Sequence, residues 1–214
     1  MAKVLEEAQK LYSEGKWQES DKLIANNLSN LKDREEFAEA LRLRGWNRYY
    51  LGIKGPADHK EENLSMSKGA FLEALDNTID RKKRVSILNG LPLSLWLLSE
   101  KDEAWQKSDR AIREFPDEPS VWNTRSILCR WAKDFKQAIE VCEKVYVTAL
   151  YRRDYRTAGH GKQNRGDALK ELGRIEEAKL DYAAAVGLYR DFEKVTGESA
   201  AFHIEGAAQK LRSL

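Results

Sequence analysis

The chain has 214 residues, 42% hydrophobic, 9% aromatic and 34% charged, with 4 Pro and 13 Gly. A charged share well above the roughly 25% of an average domain, with so few turn formers, favours an all-α fold over turn-rich β architecture. Lys and Arg number 37 against 35 Asp and Glu, so a formal charge of +2 excludes the global positive field of a protein that coats nucleic acid.

The N-terminal stretch Met1-Ala2-Lys3-Val4-Leu5-Glu6-Glu7 is amphipathic and acidic, unlike the apolar core of a secretory leader. The longest apolar run, residues 91–98, is broken by Pro92 and Ser94 and is far shorter than the roughly 20 residues that cross a bilayer. Cys129 and Cys142 are the only cysteines, too few for a disulfide framework and without CxxC spacing. A cytoplasmic protein without membrane insertion is expected. Residues 103–119 predict a helix with small residues at regular spacing, stopped by Pro116 and Pro119. Residues 137–145 repeat that rhythm: Ala138 follows Ala104 by 34 residues, and Cys142 follows Ser108 by 34. With Trp122 opening the intervening helix, this period resembles the tetratricopeptide repeat (TPR), patterned W-x2-L-G-x2-Y, then A-x3-F, then P.

The resemblance implies a right-handed α-solenoid of about five helix-turn-helix repeats near 1–34, 37–79, 84–117, 118–151 and 158–191, with a cap over 197–214, forming one domain over 1–214. In the first repeat stand Ala8, Leu11, Gly15, Trp17, Ser20 and Ile24, with Gly15-Lys16-Trp17 as the turn. The second is degenerate: Gly45 and Gly52 recur seven apart like the family's first-helix and turn glycines, but Ala70, Ala74 and Leu75 arrive late, so 53–63 reads as an insertion or long loop. The third places Leu91 and Leu95 before Ala104, Ser108, Ala111 and Pro116 and lacks the signature Trp and Gly; Pro92 should kink its first helix or restart it after Gly90. The fourth carries Trp122, Ser126, Phe135, Ala138 and Cys142, with Arg125 and Cys129 departing from the pattern. The fifth runs Gly166, Leu169, Gly173, Ile175, Ala178, Tyr182 and Ala185; Ala178 follows Ala138 by 40 residues, which predicts longer helices around 151–157. Phe202, Ala207 and Leu211 lie at helical spacing in the cap.

Proteins of this family typically hold a peptide against the first helices. The register places there Leu5, Gln9 and Tyr12, then Arg42, Trp46, Tyr49 and Tyr50, then Asn89, Leu93 and Trp96, then Asn123, Ile127, Arg130 and Trp131, and last Gln163, Asp167 and Lys170. Arg42, Trp46, Tyr49, Tyr50, Asn89, Trp96, Asn123, Arg130 and Trp131 are the candidate groove residues, because aromatic and Arg side chains dominate binding hot spots and Asn grips peptide amides. The tryptophans could equally fill space between helices. Leu5 and Gln9 stand where a chaperone-binding member has Lys and Asn, so that activity is not expected.

Arg152, Arg153 and Arg156, followed by Lys162 and Arg165 and interleaved with Tyr151 and Tyr155, form a second candidate surface, for phosphate or another polyanion. The competing reading is a solvated helix face whose arginines pair with acids, and the near-zero global charge argues against nucleic acid. The run 80–84 reads as a helix start. Gly159-His160-Gly161-Lys162 fails as a phosphate loop, with Arg156 in place of the first Gly and Gln163 in place of Ser or Thr. His59, His160 and His203 lack metal-ligand spacing and read as isolated surface histidines; Cys129 and Cys142 read as buried small hydrophobes. Paired acids such as Glu6-Glu7, Glu35-Glu36, Glu61-Glu62 and Glu176-Glu177 complement helix dipoles. No nucleophile, base and orienter assemble. The expectation is a non-catalytic adaptor without cofactor or metal, a monomer or weak homo-oligomer that binds a protein or peptide; polyanion binding and a structural role in a larger assembly are the alternatives.

Overall fold

The computed structural model describes residues 2–214. Among them lie eleven α-helices and no strand: α1 (Ala2–Ser13), α2 (Trp17–Asn27), α3 (Arg34–Lys54), α4 (Lys60–Asn77), α5 (Arg81–Leu97), α6 (Lys101–Glu114), α7 (Pro119–Trp131), α8 (Phe135–Tyr151), α9 (Tyr155–Glu171), α10 (Ile175–Thr196) and α11 (Ala201–Arg212). The chain divides into two compact units, one ending at Ala111 and the other beginning at Ile112, within α6.

The inter-helix turns are built alike. Gly15, Ser99, Lys133, Arg153 and Gly173 adopt left-handed backbone at φ 75°, 66°, 60°, 56° and 73°. In each, the next residue's N–H donates to a carbonyl five residues back (Lys16 to Leu11, Glu100 to Leu95, Asp134 to Cys129, Asp154 to Ala149, Arg174 to Leu169) at 2.8–2.9 Å. This is the Schellman ending, which satisfies helix-end carbonyls and aims the next helix back along the last. The Ser99 and Lys133 turns lie 34 residues apart, the period read from the small residues. Four helices, α3, α5, α8 and α9, start on an aspartate: Asp33, Asp80, Asp134 and Asp154 accept from the amides of Glu36, Lys83, Gln137 and Thr157 at 2.8–3.0 Å. These caps start α3, α5 and α9 three residues before the repeat boundaries expected from the sequence.

In the N-terminal unit α1 to α5 pack consecutively, and α3 also touches α1 and α5. Ala8, Ile24, Leu31, Ala40 and Leu43 form a core that Leu5, Tyr12 and Phe37 border. Ser20 Oγ donates to Ala8 O and accepts from Asn47 Nδ2, both at 2.8 Å, so α1, α2 and α3 share a buried polar chain. Phe71 of α4 is fully buried against two glycines: a Cβ on Gly45 or Gly90 would stand 2.5 or 2.4 Å from its ring.

Three local expectations are corrected here. No long loop spans 53–63, because α3 runs to Lys54, Gly55-Pro56 makes the break, and a 3-10 turn at Ala57–His59 leads straight into α4. Gly52 is therefore a residue inside α3 that admits Leu64, and not a turn glycine; a Cβ there would meet Leu64 at 2.9 Å. Nor does Pro92 restart α5, which is one helix from Arg81 to Leu97 with Pro92 buried; Ser94 Oγ donates to Gly90 O at 3.3 Å across this stretch.

In the C-terminal unit α7 to α11 pack consecutively and α7 also reaches α9. The lengthening expected near 151–157 is present, since α8 and α9 each have 17 residues against 13 in α7. Ala138, Cys142, Ala178, Tyr182 and Ala185 are all buried. The end of α11 returns to this core, with Leu211 and Leu214 against Leu169, Ala178 and Tyr182. Phe202 does not join it: at 82% exposure it points away.

Candidate functional site

In the N-terminal unit α3 presents a continuous set of rings. Tyr50 stacks on Trp17 at 5.0 Å and 14°, and its ring lies 6.0 Å from Tyr12. Trp46 meets Tyr49 and Phe71 edge-on at 5.6 and 5.5 Å and Tyr50 at 6.1 Å. Such edge-to-face and offset pairs contribute beyond the area they bury. Trp46 Nε1 donates to Ser86 Oγ at 2.9 Å. Arg42 donates to the same hydroxyl at 3.1 Å, to Gln9 Oε1 at 3.4 Å and to both carboxylate oxygens of Glu39 at 2.6 and 2.8 Å. Tyr49 departs from the expected groove lining, because it is only 7% exposed and faces the packing; Leu93, at 6%, does the same. Burial pushes the Tyr12 and Tyr49 phenols well above their ordinary value, and neighbouring Tyr50 adds to this. Half-buried Tyr12, Trp46 and Tyr50 therefore remain as the available face, bordered by Arg42, 15% exposed and already bonded to Glu39, Ser86 and Gln9, and on α5 by half-buried Asn89. Farther along α5, Trp96 meets Trp105 edge-on at 5.8 Å with Lys101 Nζ 5.4 Å from its ring.

The corresponding residues of the C-terminal unit make a polar network. Asn164 of α9 donates to Asn123 Oδ1 at 2.9 Å and accepts from Arg130 at 2.6 Å. Arg130 also pairs with Asp167 at 2.6 Å, and Asp167 accepts from Tyr182 OH at 2.9 Å and from Lys210 of α11 at 2.6 Å. Trp131, 37% exposed, borders a cavity of about 350 Å³ together with Phe135, Lys170 and Glu171. Asn123 and Arg130 are thus occupied within the fold, while Trp131 reaches solvent.

The residues of the candidate anion surface have separate engagements within the fold. Arg152 pairs with Asp117 at 3.1 Å and Glu118 at 3.4 Å. Arg153 is the left-handed turn residue, and Arg156 lies over the Phe192 ring at 5.2 Å. Arg165 grips buried Asp181 through two bonds of 2.6 and 2.7 Å and also pairs with Glu143. Lys162 stands 3.9 Å from each of those carboxylates, with the Tyr146 ring 3.8 Å away. Desolvation and the Arg165 charge lower its pKa.

Two features escaped the sequence reading. Trp122, Pro116, Lys144, Val147 and Thr148 line an open cavity of about 620 Å³ on α7 and α8, with Lys144 Nζ 4.7 Å from the Trp122 ring. Val147 and Tyr151 are 58% and 90% exposed nearby. The signal was the near-uniform apolarity of 145–151, since a helix apolar on every side wants cover on every side. The second feature overturns the reading of isolated histidines: the fold brings His160 and His203 together, ring centroids 4.9 Å apart. Cys129 and Cys142 are buried and reduced, and burial pushes their thiols up to about 11 and about 12, away from the reactive thiolate. Among the described residues no group of three or more His, Cys, Asp or Glu is placed to hold a metal ion, and no helix is long and apolar enough to cross a membrane.

No protein-family model matches the chain, and no curated protein matches it in sequence.

Proposed function

We propose that the protein is a TPR-like adaptor that holds a segment of a partner protein, without catalysis, against the α3 face of its N-terminal unit. The repeat reading draws support from five equivalent Schellman turns, two of them 34 residues apart. The recognition reading rests on one observation: half-buried Tyr12, Trp46 and Tyr50 stand together beside Arg42, so apolar ring area and phenol hydroxyls share one face with a guanidinium that Glu39, Ser86 and Gln9 already fix. Large rings whose neighbours already fix them lose little entropy when a ligand covers them. Polyanion binding has less support, since Arg152 and Arg165 each engage two carboxylates.

Affinity capture from the native host identifies the partner, and titration with the purified partner tests the face. Tyr50→Ala and Arg42→Gln avoid the Phe71 contact and should each weaken binding about tenfold, the loss typical of an interface anchor, with circular dichroism unchanged. Unchanged affinity in both folded variants would sink the assignment.

A further inference from the structure

The first turn of the C-terminal helix is held on its neighbours by a stack of rings. His203 of α11 lies on Tyr189 of α10, centroids 5.2 Å apart and planes at 26°. His160 of α9 meets His203 edge-on at 4.9 Å and Tyr189 at 5.7 Å. Tyr189 is fully buried, its hydroxyl donates to Gln163 Oε1 at 3.0 Å, and its ring presses so closely on α9 that a Cβ on Gly159 would stand 2.5 Å away. Around this stack Ala200, Ala207 and Ile204 add apolar contact, and the far end of α11 is held separately by Leu211 and Leu214 on Leu169 and Tyr182 and by Lys210 on Asp167.

The charges that act on this pair come from α9, from the turn before it and from the pair itself. On α9, Arg156 and the neighbouring His203 oppose a proton on His160, while Asp154, already engaged as the cap of Thr157, favours one weakly. Arg156 likewise opposes a proton on His203. From α10, Tyr189 offers a buried phenol and Glu193 is bonded to the Ala200 amide at 2.7 Å. A charge on either partly buried ring would therefore stand near Arg156, while Asp154 and Glu193 are each already engaged by a backbone amide.

We propose that the His160–His203 pair is a proton-operated latch, in which uncharged imidazoles hold α11 on α9 and α10 and their protonation releases it, uncovering Tyr189 and Ala185. Burial first, then His203 and Arg156, hold His160 down to about 4, and burial lowers His203 in the same direction. Both groups are bases with lowered pKa when docked, so docking is complete above the ordinary histidine value of about 6.5 and weakens progressively as pH falls from there towards 4. At pH 5 the His160 shift alone favours the released state by about 30-fold over its neutral-pH value.

The test is amide hydrogen exchange on the full chain at about pH 7.5 and about pH 5, corrected for intrinsic rates. Protection of 201–212 should fall about 30-fold more than that of α3, and this difference should vanish in His160→Gln/His203→Phe, which keeps a ring on Tyr189 without a titrating proton. A pH-independent α11 in the wild type, or a pH-dependent loss that persists in the double variant, overturns the latch. Should that variant fail to dock at neutral pH, the imidazole NMR titration of the wild type decides: a His160 midpoint below about 5 supports the proposal and midpoints near about 6.5 for both histidines overturn it.

Discussion

The α3 face of the N-terminal unit and the α7–α9 face of the C-terminal unit are finished in opposite chemistry. On α3 the exposed rim is aromatic, with Trp46 and Tyr50 resting on Tyr12, Trp17 and Phe71. On α7 and α9 it is Asn123, Arg130, Asn164 and Asp167, closed by Lys210. Hairpin packing constrains the buried small residues and the turns, and it leaves the rim to whatever chemistry a site requires. Ring contacts tolerate small displacements because dispersion is diffuse; the ionic network is directional and fails when one member is lost.

Each unit also buries one aspartate, and the largest effect should come from exposing the difference between them. Asp21 is held by both Arg44, at 3.0 Å, and Arg48. Asp181 relies on the two bonds from Arg165, with Lys162 no nearer than 3.9 Å. Removing one partner of a buried pair strands the other charge, so Arg165→Met should cost about 3 kcal/mol while Arg48→Met costs about 1 kcal/mol because Arg44 remains. Urea unfolding midpoints read both, and equal losses would show that the second arginine at Asp21 carries nothing.

A smaller effect separates the units by pH. Glu35 accepts from Lys83 at 2.7 Å, from the Thr78 hydroxyl at 2.7 Å and from the Ile79 amide at 3.1 Å. These bonds, that from Lys83 first, bring its carboxyl down to about 2. For an acid with lowered pKa the stabilisation is present above its ordinary value of 4.5 and lost as pH falls towards about 2. The junction of α3 with the α4–α5 connection should thus hold through the range in which α11 lets go. In an acid titration followed by amide exchange of 34–40, Glu35→Gln should lose the low-pH transition of this segment; a transition unchanged from wild type would assign it to another group.

Much of the fold was legible because repeats are a packing code. Ala104, Ser108, Ala111, Ala138 and Cys142, read from a 34-residue rhythm, are all buried. The misreadings share a cause. Gly55-Pro56 looked like the middle of a loop, yet two residues suffice when a 3-10 turn follows directly. Pro92 was expected to kink or restart its helix, yet α5 continues through it as one helix, because tertiary packing of its buried residues outweighs one lost donor. The candidate face was legible only as a list of residue types, because what each one does depends on partners from distant parts of the chain: Ser86 for Trp46, Asn164 for Arg130, His203 for His160. No local pattern announces such pairs.

The turns provide the finest comparison, because identical geometry is filled by different residues. Gly15 and Gly173 occupy the left-handed position without strain, whereas Lys133 and Arg153 adopt φ 60° and 56° with a Cβ in place. An L-residue there pays a steric cost of about 1 kcal/mol, partly offset by the greater freedom that glycine loses on folding. Lys133→Gly should therefore stabilise the C-terminal unit by roughly 0.5 kcal/mol, raising its melting temperature by about 2 °C, and Gly173→Ala should lower it by a similar amount. Scanning calorimetry of the two variants checks the pair. If Lys133→Gly destabilises instead, the lysine stem contributes packing that outweighs its backbone strain, and the equivalence of the five turns is one of hydrogen bonding alone.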